Sequence, residues 1–264
     1  MADTGREAAV LPSSNRGVSQ LRNGIKSWIG IDWCAFSIDF PLFCRATGHD
    51  QTSDLIEFLE IPAYAHDAAK LIHTFFFENN IMLSDEVGKG RFYKNRIALQ
   101  SATGEHVGMI EIGGSHTSRK NGSCTARIEM TGRACELFEQ TGEAQPDHAK
   151  RWLELKAKLE SVDGRLSRVD VAYDDYTGSH SVADAIAMWK AGEFDQRGQH
   201  PKAQLIDDLG NNTGCTAYIG SRSSEHFMRV YDKEKQLGLV DGISVRWECQ
   251  FNGSSRKELS LDIL

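Results

Sequence analysis

The stretch RLSRVDVAYDD, residues 165–175, alternates apolar and polar side chains along most of its length. A period of two places Asp170, Ala172 and Asp174 on one face of an extended strand, with Val169, Val171 and Tyr173 on the other. The valine side is the side a core would take. Two carboxylates on the opposite side repel each other unless a cation or a solvated edge relieves them. A hard divalent ion suits such oxygens. A solvent-exposed polar face would produce the same spacing.

Working outward, Ile29–Phe40 alternates in the same way and predicts a strand. Pro62–Asn80 predicts a helix, with Pro62 in the first turn and Ala65, Ala69, Ile72 and Phe76 at helical spacing. Arg91–Gln100 and His106–Ile112 flank the turn-like Ala102–Gly104 and predict a hairpin. A polar loop at 113–122 leads to a strand at 124–131, a short helix at 134–140 and a longer one at 147–162. The rhythm then repeats. After the 165–174 strand come a helix at 181–193, a loop at 198–212, paired strands at 215–220 and 226–231, a helical turn at 232–237 and a strand at 243–251. This predicts an α+β fold, mainly antiparallel sheet with helices packed on one face, in two similar halves divided near 163. Residues 1–28 read as a flexible leader.

With 264 residues, 40% of them hydrophobic and 25% charged, the chain has the composition of a globular protein with a sizeable core. Its apolar runs are all too short to cross a bilayer, and its first residues lack the order of a secretory signal. The six cysteines are scattered without a CxxC pair, which fits reduced thiols in a cytoplasm and argues against a structural zinc site. The formal net charge is −7, so any nucleic-acid role has to rest on local cations, a metal ion or a basic segment outside this chain.

Four further stretches could carry chemistry. In VRWECQF, residues 245–251, Arg246, Glu248 and Gln250 share a face; Glu248 is either a salt-bridge partner or a third oxygen ligand. Glu129 in the 124–131 strand is a weaker candidate of the same kind. In HFMRVYDKEK, residues 226–235, Arg229 and Tyr231 point the same way, and Lys233 and Lys235 follow within about one turn. A phenol loses its proton near pH 10, so a tyrosine nucleophile needs a cation or base beside it, and the same cations can hold a phosphoryl group under attack. An ordinary packed tyrosine followed by a solvated charge run would look alike. Upstream, TAYIGSR, residues 216–222, offers Tyr218 as a reserve nucleophile, with Ser221 and Arg222 in a turn that could grip a phosphate.

In this order, RLSRVDVAYDD, TAYIGSRSSEHFMRVYDKEKQ and VRWECQF resemble the plasmid and phage replication initiation factor family, which includes rolling-circle initiators and relaxases of integrative elements. IDWCAFSID and RIEMTGRACELF resemble its N-terminal strands, so the resemblance runs over roughly 29–264. It implies a metal-dependent DNA nickase and strand-transfer enzyme in which a tyrosine attacks one origin phosphodiester and stays linked to the 5′ phosphate. Carried over, Tyr231 is the nucleophile with Tyr218 in reserve, Lys233 and Arg229 steady the phosphate, and Asp170, Asp174 and Glu248 hold Mg²⁺ or Mn²⁺. Asp175 would replace Asp174 if a bulge shifted the register. Arg222, Ser221, Lys235 and Arg246 are the expected DNA contacts. The implied partner is single-stranded or supercoiled origin DNA in the cytoplasm of a bacterial host, with a host helicase and a second copy of the chain as further candidates and no membrane role. None of the nine histidines forms a His-hydrophobe-His motif; the resemblance implies carboxylates in its place. The chain stops at LSLDIL, where relatives continue, so a C-terminal segment with basic contacts is expected beyond it.

Overall fold

The computed structural model describes residues 26–49, 59, 61–77, 80–115, 124–140, 147–211, 213–236, 238, 244–253 and 258–264. The expected leader lies outside these residues except for its last three, and Ser27 and Trp28 already belong to the first strand.

Among the described residues, ten strands form one antiparallel sheet: β1 (Ser27–Asp39), β2 (Met82–Lys89), β3 (Asn95–Gln100), β4 (His106–Ser115), β5 (Cys124–Met130), β6 (Arg165–Asp175), β7 (Ala203–Ile206), β8 (Thr216–Gly220), β9 (His226–Asp232) and β10 (Val245–Asn252). Their spatial order is β2-β3-β4-β5-β1-β6-β10-β9-β8-β7. From the centre outward, β1-β5-β4-β3-β2 and β6-β10-β9-β8-β7 are the same arrangement, so the two halves expected from the sequence rhythm share one connectivity. Their first strands, β1 and β6, pair with each other at the middle of the sheet.

Six helices are present among the described residues: α1 (Phe40–Ala46), α2 (Pro62–Phe76), α3 (Gly132–Glu139), α4 (His148–Ser161), α5 (Val182–Lys190) and the single turn α6 (Lys233–Gln236). The larger core lies between β1, β3, β4 and β5 and the helices of the first half, where Phe36, Ile38, Phe43, Ile72, Phe76, Ile110 and Ile128 are buried together. Each such side chain contributes about 1.5–3 kcal/mol by leaving water. A smaller core joins Val182 and Ala185 of α5 to Ala217, Val230 and Val245.

Local chemistry sets the element ends. The Asp39 carboxylate accepts from the Leu42 amide at 3.0 Å and Pro41 sits in the first turn, so the chain leaves β1 one residue before the expected end and starts a helix the alternation had concealed. Ser181 and Asp184 cap α5 reciprocally. Two strands escape the sequence reading. β2 and β7 are the sheet's edges, where one side of the ladder is unpaired and polar sequences such as SDEV are tolerated.

Candidate active site

The register of the second half aligns alternate residues of five strands into cross-strand rows. One row runs Thr216, Tyr231, Arg246, Asp174 and Trp28; the next runs Tyr218, Arg229, Glu248, Ala172 and Gly30; the third runs Gly220, Phe227, Gln250, Asp170 and Trp33. Tyr231 and the three expected acids therefore share the sheet face opposite the smaller core. Between the second and third rows the β1–β6 register slips at Ile31/Trp33, and the residue left over at that bulge is Asp32.

These rows are electrostatically matched. Arg246 is fully buried and donates to Asp174 from Nε and Nη2, both at 2.5 Å, while its Nη1 stands 2.9 Å from Asp32 Oδ1. Arg229 donates to Glu248 at 2.7 Å. Arg168 donates to Asp170 through Nε at 2.8 Å and lies over the Trp33 ring. Burial lifts the Asp170 carboxyl to about 6; Arg168 opposes this, while Glu248 and Asp32 reinforce it. Asp170 thus feels the carboxylates of both Glu248 and Asp32.

Tyr231 is 2% exposed, yet its surroundings are ionic. The Arg229 guanidinium lies 4.5 Å from its ring centroid and the Lys233 ammonium 6.0 Å away. Its hydroxyl has no hydrogen-bond partner among the described residues. Burial pushes this phenol well above its ordinary range; Arg246 and Arg229 pull it down, while Glu248 and Asp32 push it further up. Burial likewise pulls Lys233 down to about 8, aided by Arg246. The Trp28 ring folds across Gly30, where a Cβ would stand 2.3 Å from Cζ2, and packs against Arg246.

The other expected residues scatter. Arg246, expected to touch DNA, is corrected to a buried ion-pair residue. Arg246, sealed from solvent, holds both oxygens of Asp174, so the place of Asp174 among metal ligands falls away in this arrangement; Arg168 holds both oxygens of Asp170 in the same way, but Arg168 is partly exposed and has room to turn aside. Asp175 points to the other side, accepting from Thr177 and His180, and the β6–β10 register has no slip there to bring it round. Glu129 shares the face of Asp170 but pairs with Arg127 in the first half. Lys235 is half-buried, 4.0 Å from Asp232. Ser221 is exposed and bonded to Ser223. Tyr218 stacks on Phe227, with Arg222 above both rings.

Asp32 is the residue sequence reasoning missed. Its signal was a lone carboxylate inside the otherwise apolar IGIDWCAF, but a bulge removes such a residue from the alternation that assigns faces. The oxygen donors on this face that could hold a hard cation are therefore Asp32, Asp170 and Glu248, all buried, and a divalent ion would relieve the repulsion that the other two exert on Asp170. They do not yet close on a single point. Among the described residues, only Asp207, Asp208 and Cys215 place three ligand atoms within 4.8 Å of one another, and those aspartates already accept from the Leu209, Gly210 and Gly214 amides.

Comparison with known proteins bears on this half of the chain. Residues 164–264 match the replication initiation factor family. A Bacillus subtilis (strain 168) protein, provisionally named DNA relaxase NicK, is 30% identical over 108 residues, which is 40% of this chain and 30% of that protein's length. The chain thus spans under a third of this relative. The rolling circle replication initiator protein of Geobacillus stearothermophilus shares the fold, with a TM-score of 0.55 at 23% identity over 86% of this chain and 74% of that one. No helix among the described residues is long and apolar enough to cross a membrane.

Proposed function

We propose that this chain, with residues 164–264 matching the replication initiation factor family, nicks one strand of DNA at a replication origin and rejoins it through a tyrosine–DNA intermediate. Tyr231 is the nucleophile. Its oxygen attacks the scissile phosphorus, the O–P bond to the 3′ oxygen breaks, and the protein retains the 5′ phosphate while the strand gains a 3′ hydroxyl. Rejoining is the reverse. Arg229 and Lys233 stabilise the charge that builds on the phosphoryl oxygens. Asp32, Asp170 and Glu248 would hold a divalent ion, Mg²⁺ or Mn²⁺, which supplies Lewis-acid polarisation of the phosphate when bound.

The observation that carries this reading is the shared face: a buried phenol hydroxyl with no partner lies in the row of Arg246 and Asp174 and next to the row of Arg229 and Glu248. Arg246 and Arg229 pull the phenol towards its ionised form, against the burial that holds it up, and the acids that could hold a metal lie within two rows.

One observation favours a second reading, DNA binding without chemistry. At 2% exposure the phenol is closed off, and its neighbouring arginines are spent on carboxylates. Incubation with Mn²⁺ and a single-stranded origin oligonucleotide separates the two. An adduct that survives detergent and disappears in Tyr231→Phe supports nicking. Retained binding with no adduct in the wild type supports the alternative. Origin DNA is the proposed substrate under either outcome, and a host helicase and a second copy of the chain remain proposed partners.

A further inference from the structure

Beside the Tyr231 row, Tyr218 and Phe227 sit diagonally across β8 and β9 with their rings nearly parallel, centroids 5.7 Å apart and planes 14° apart. Gly220 stands directly opposite Phe227 with φ at +90°, where a Cβ would press on the His226 carbonyl oxygen at 3.2 Å. The Arg222 guanidinium lies 5.6 Å from the Tyr218 centroid and 5.7 Å from that of Phe227. Arg222 belongs to an exposed turn whose shape is held from below, where Asn252 donates to the Arg222 carbonyl at 3.2 Å.

Charge pairing sets Arg222 apart. On the same sheet face Arg96, Arg127, Arg168, Arg229 and Arg246 each hold a carboxylate. Arg222 forms no ion pair with any carboxylate among the described residues. A planar cation without a counter-ion, resting on two parallel rings, is the arrangement an unpaired nucleotide completes: a base stacks on the rings and the phosphate takes the guanidinium. Arg229, cross-strand from Tyr218 and above the Tyr231 ring, connects this surface to the proposed reaction site.

The geometry points to Tyr218, Phe227 and Arg222 as a stacking platform for one base of single-stranded DNA flanking the scissile phosphate, and so to Tyr218 as a positioning residue rather than a reserve nucleophile. In the complex the base replaces the guanidinium over the rings, and Arg222 turns to the adjoining phosphate. Paired bases hide their faces, so the platform favours melted over duplex DNA. This inference rests on the proposed nicking role for its place in the reaction, but the stacking itself is tested on binding.

The test is fluorescence anisotropy in EDTA, with labelled oligothymidylate and a strand of the same length carrying abasic sites. Tyr218→Ala is expected to weaken oligothymidylate binding roughly tenfold, Tyr218→Phe to leave it unchanged, and the abasic strand to bind all three proteins alike. Arg222→Ala, a change on an exposed turn that does not endanger folding, is expected to weaken binding and flatten its salt dependence. Wild-type binding by both alanine variants overturns the platform, as does an equal loss on the abasic strand. Loss of the covalent adduct in Tyr218→Phe also overturns it, by making Tyr218 the nucleophile. Absence of any adduct in the wild type, with the stacking differences intact, leaves the platform standing and removes the nicking role instead.

Discussion

Arg246 and Asp174 face each other across β10 and β6 as a bidentate pair sealed from solvent, with Asp32 approaching the same guanidinium from the bulge in β1. The pair lies within the second half, and the Asp32 contact ties it to β1, the innermost strand of the first. Removing one partner strands the other charge in the interior. Arg246→Ala is therefore expected to lower unfolding free energy by about 3–5 kcal/mol, measured by urea denaturation. Arg246→Lys should recover little of it, because an ammonium cannot reproduce the two parallel bonds.

Ion binding should register as stability. Mn²⁺ at a hundred times its dissociation constant is expected to add about 2.7 kcal/mol, seen as a rise in Tm that EDTA reverses. Asp32→Asn and Asp170→Asn should each abolish the rise. The effect should also shrink between pH 7 and pH 5. Burial keeps the Asp170 carboxyl near 6, so a proton competes with the ion in that window. In EDTA the same raised value has the opposite consequence: ionised Asp170 opposes folding above pH 6, and this penalty fades as pH falls towards the unfolded value near 4. A Tm rise that persists in Asp32→Asn and vanishes only in Asp174→Asn would return Asp174 to the ligand set.

Lys233 makes a second pH prediction. Buried beside Arg246, its ammonium is destabilised and titrates at about 8 in the folded protein. The unfolded chain keeps that proton to about 10.4. Between these values the unfolded state binds more protons, so stability gains with rising pH, by up to about 3 kcal/mol from this group. Chemical denaturation from pH 7.5 to 10 should show the gain in the wild type and lose it in Lys233→Met. Parallel curves for the two proteins would contradict the burial of Lys233.

Gly30 and Trp28 make a smaller, local prediction. An alanine methyl at 30 would overlap the Trp28 ring, so Gly30→Ala should push the indole off Arg246. The expected result is a red-shifted tryptophan emission and a stability loss of about 1–3 kcal/mol. An unchanged spectrum would mean that the ring does not roof the site.

Much of this arrangement was legible in the residues. Alternation in 165–175, 226–231 and 245–251 fixed which side chains share a face, and Tyr231 does lie on the face of Asp170 and Glu248. Pairing was not legible. That Arg246 meets Asp174, or that Arg229 meets Glu248, depends on register between strands far apart in sequence, and no local periodicity carries register. Asp32 stayed hidden because the bulge takes it out of phase. The edge strands β2 and β7 stayed hidden because they bury one side at most. Exposure was the hardest to foresee: a charge-rich segment after Tyr231 suggested a wet site, whereas the matched ion pairs let the whole cluster close over itself.

The most direct test is the mass of the DNA-linked peptide. After reaction with Mn²⁺ and an origin strand, nuclease trimming and tryptic digestion, a nucleotide-modified Val230–Lys233 is the predicted product, since trypsin cuts after Arg229 and Lys233. Modification of Ala203–Arg222 instead would locate the linkage at Tyr218 and contradict both the nucleophile assignment and the stacking platform.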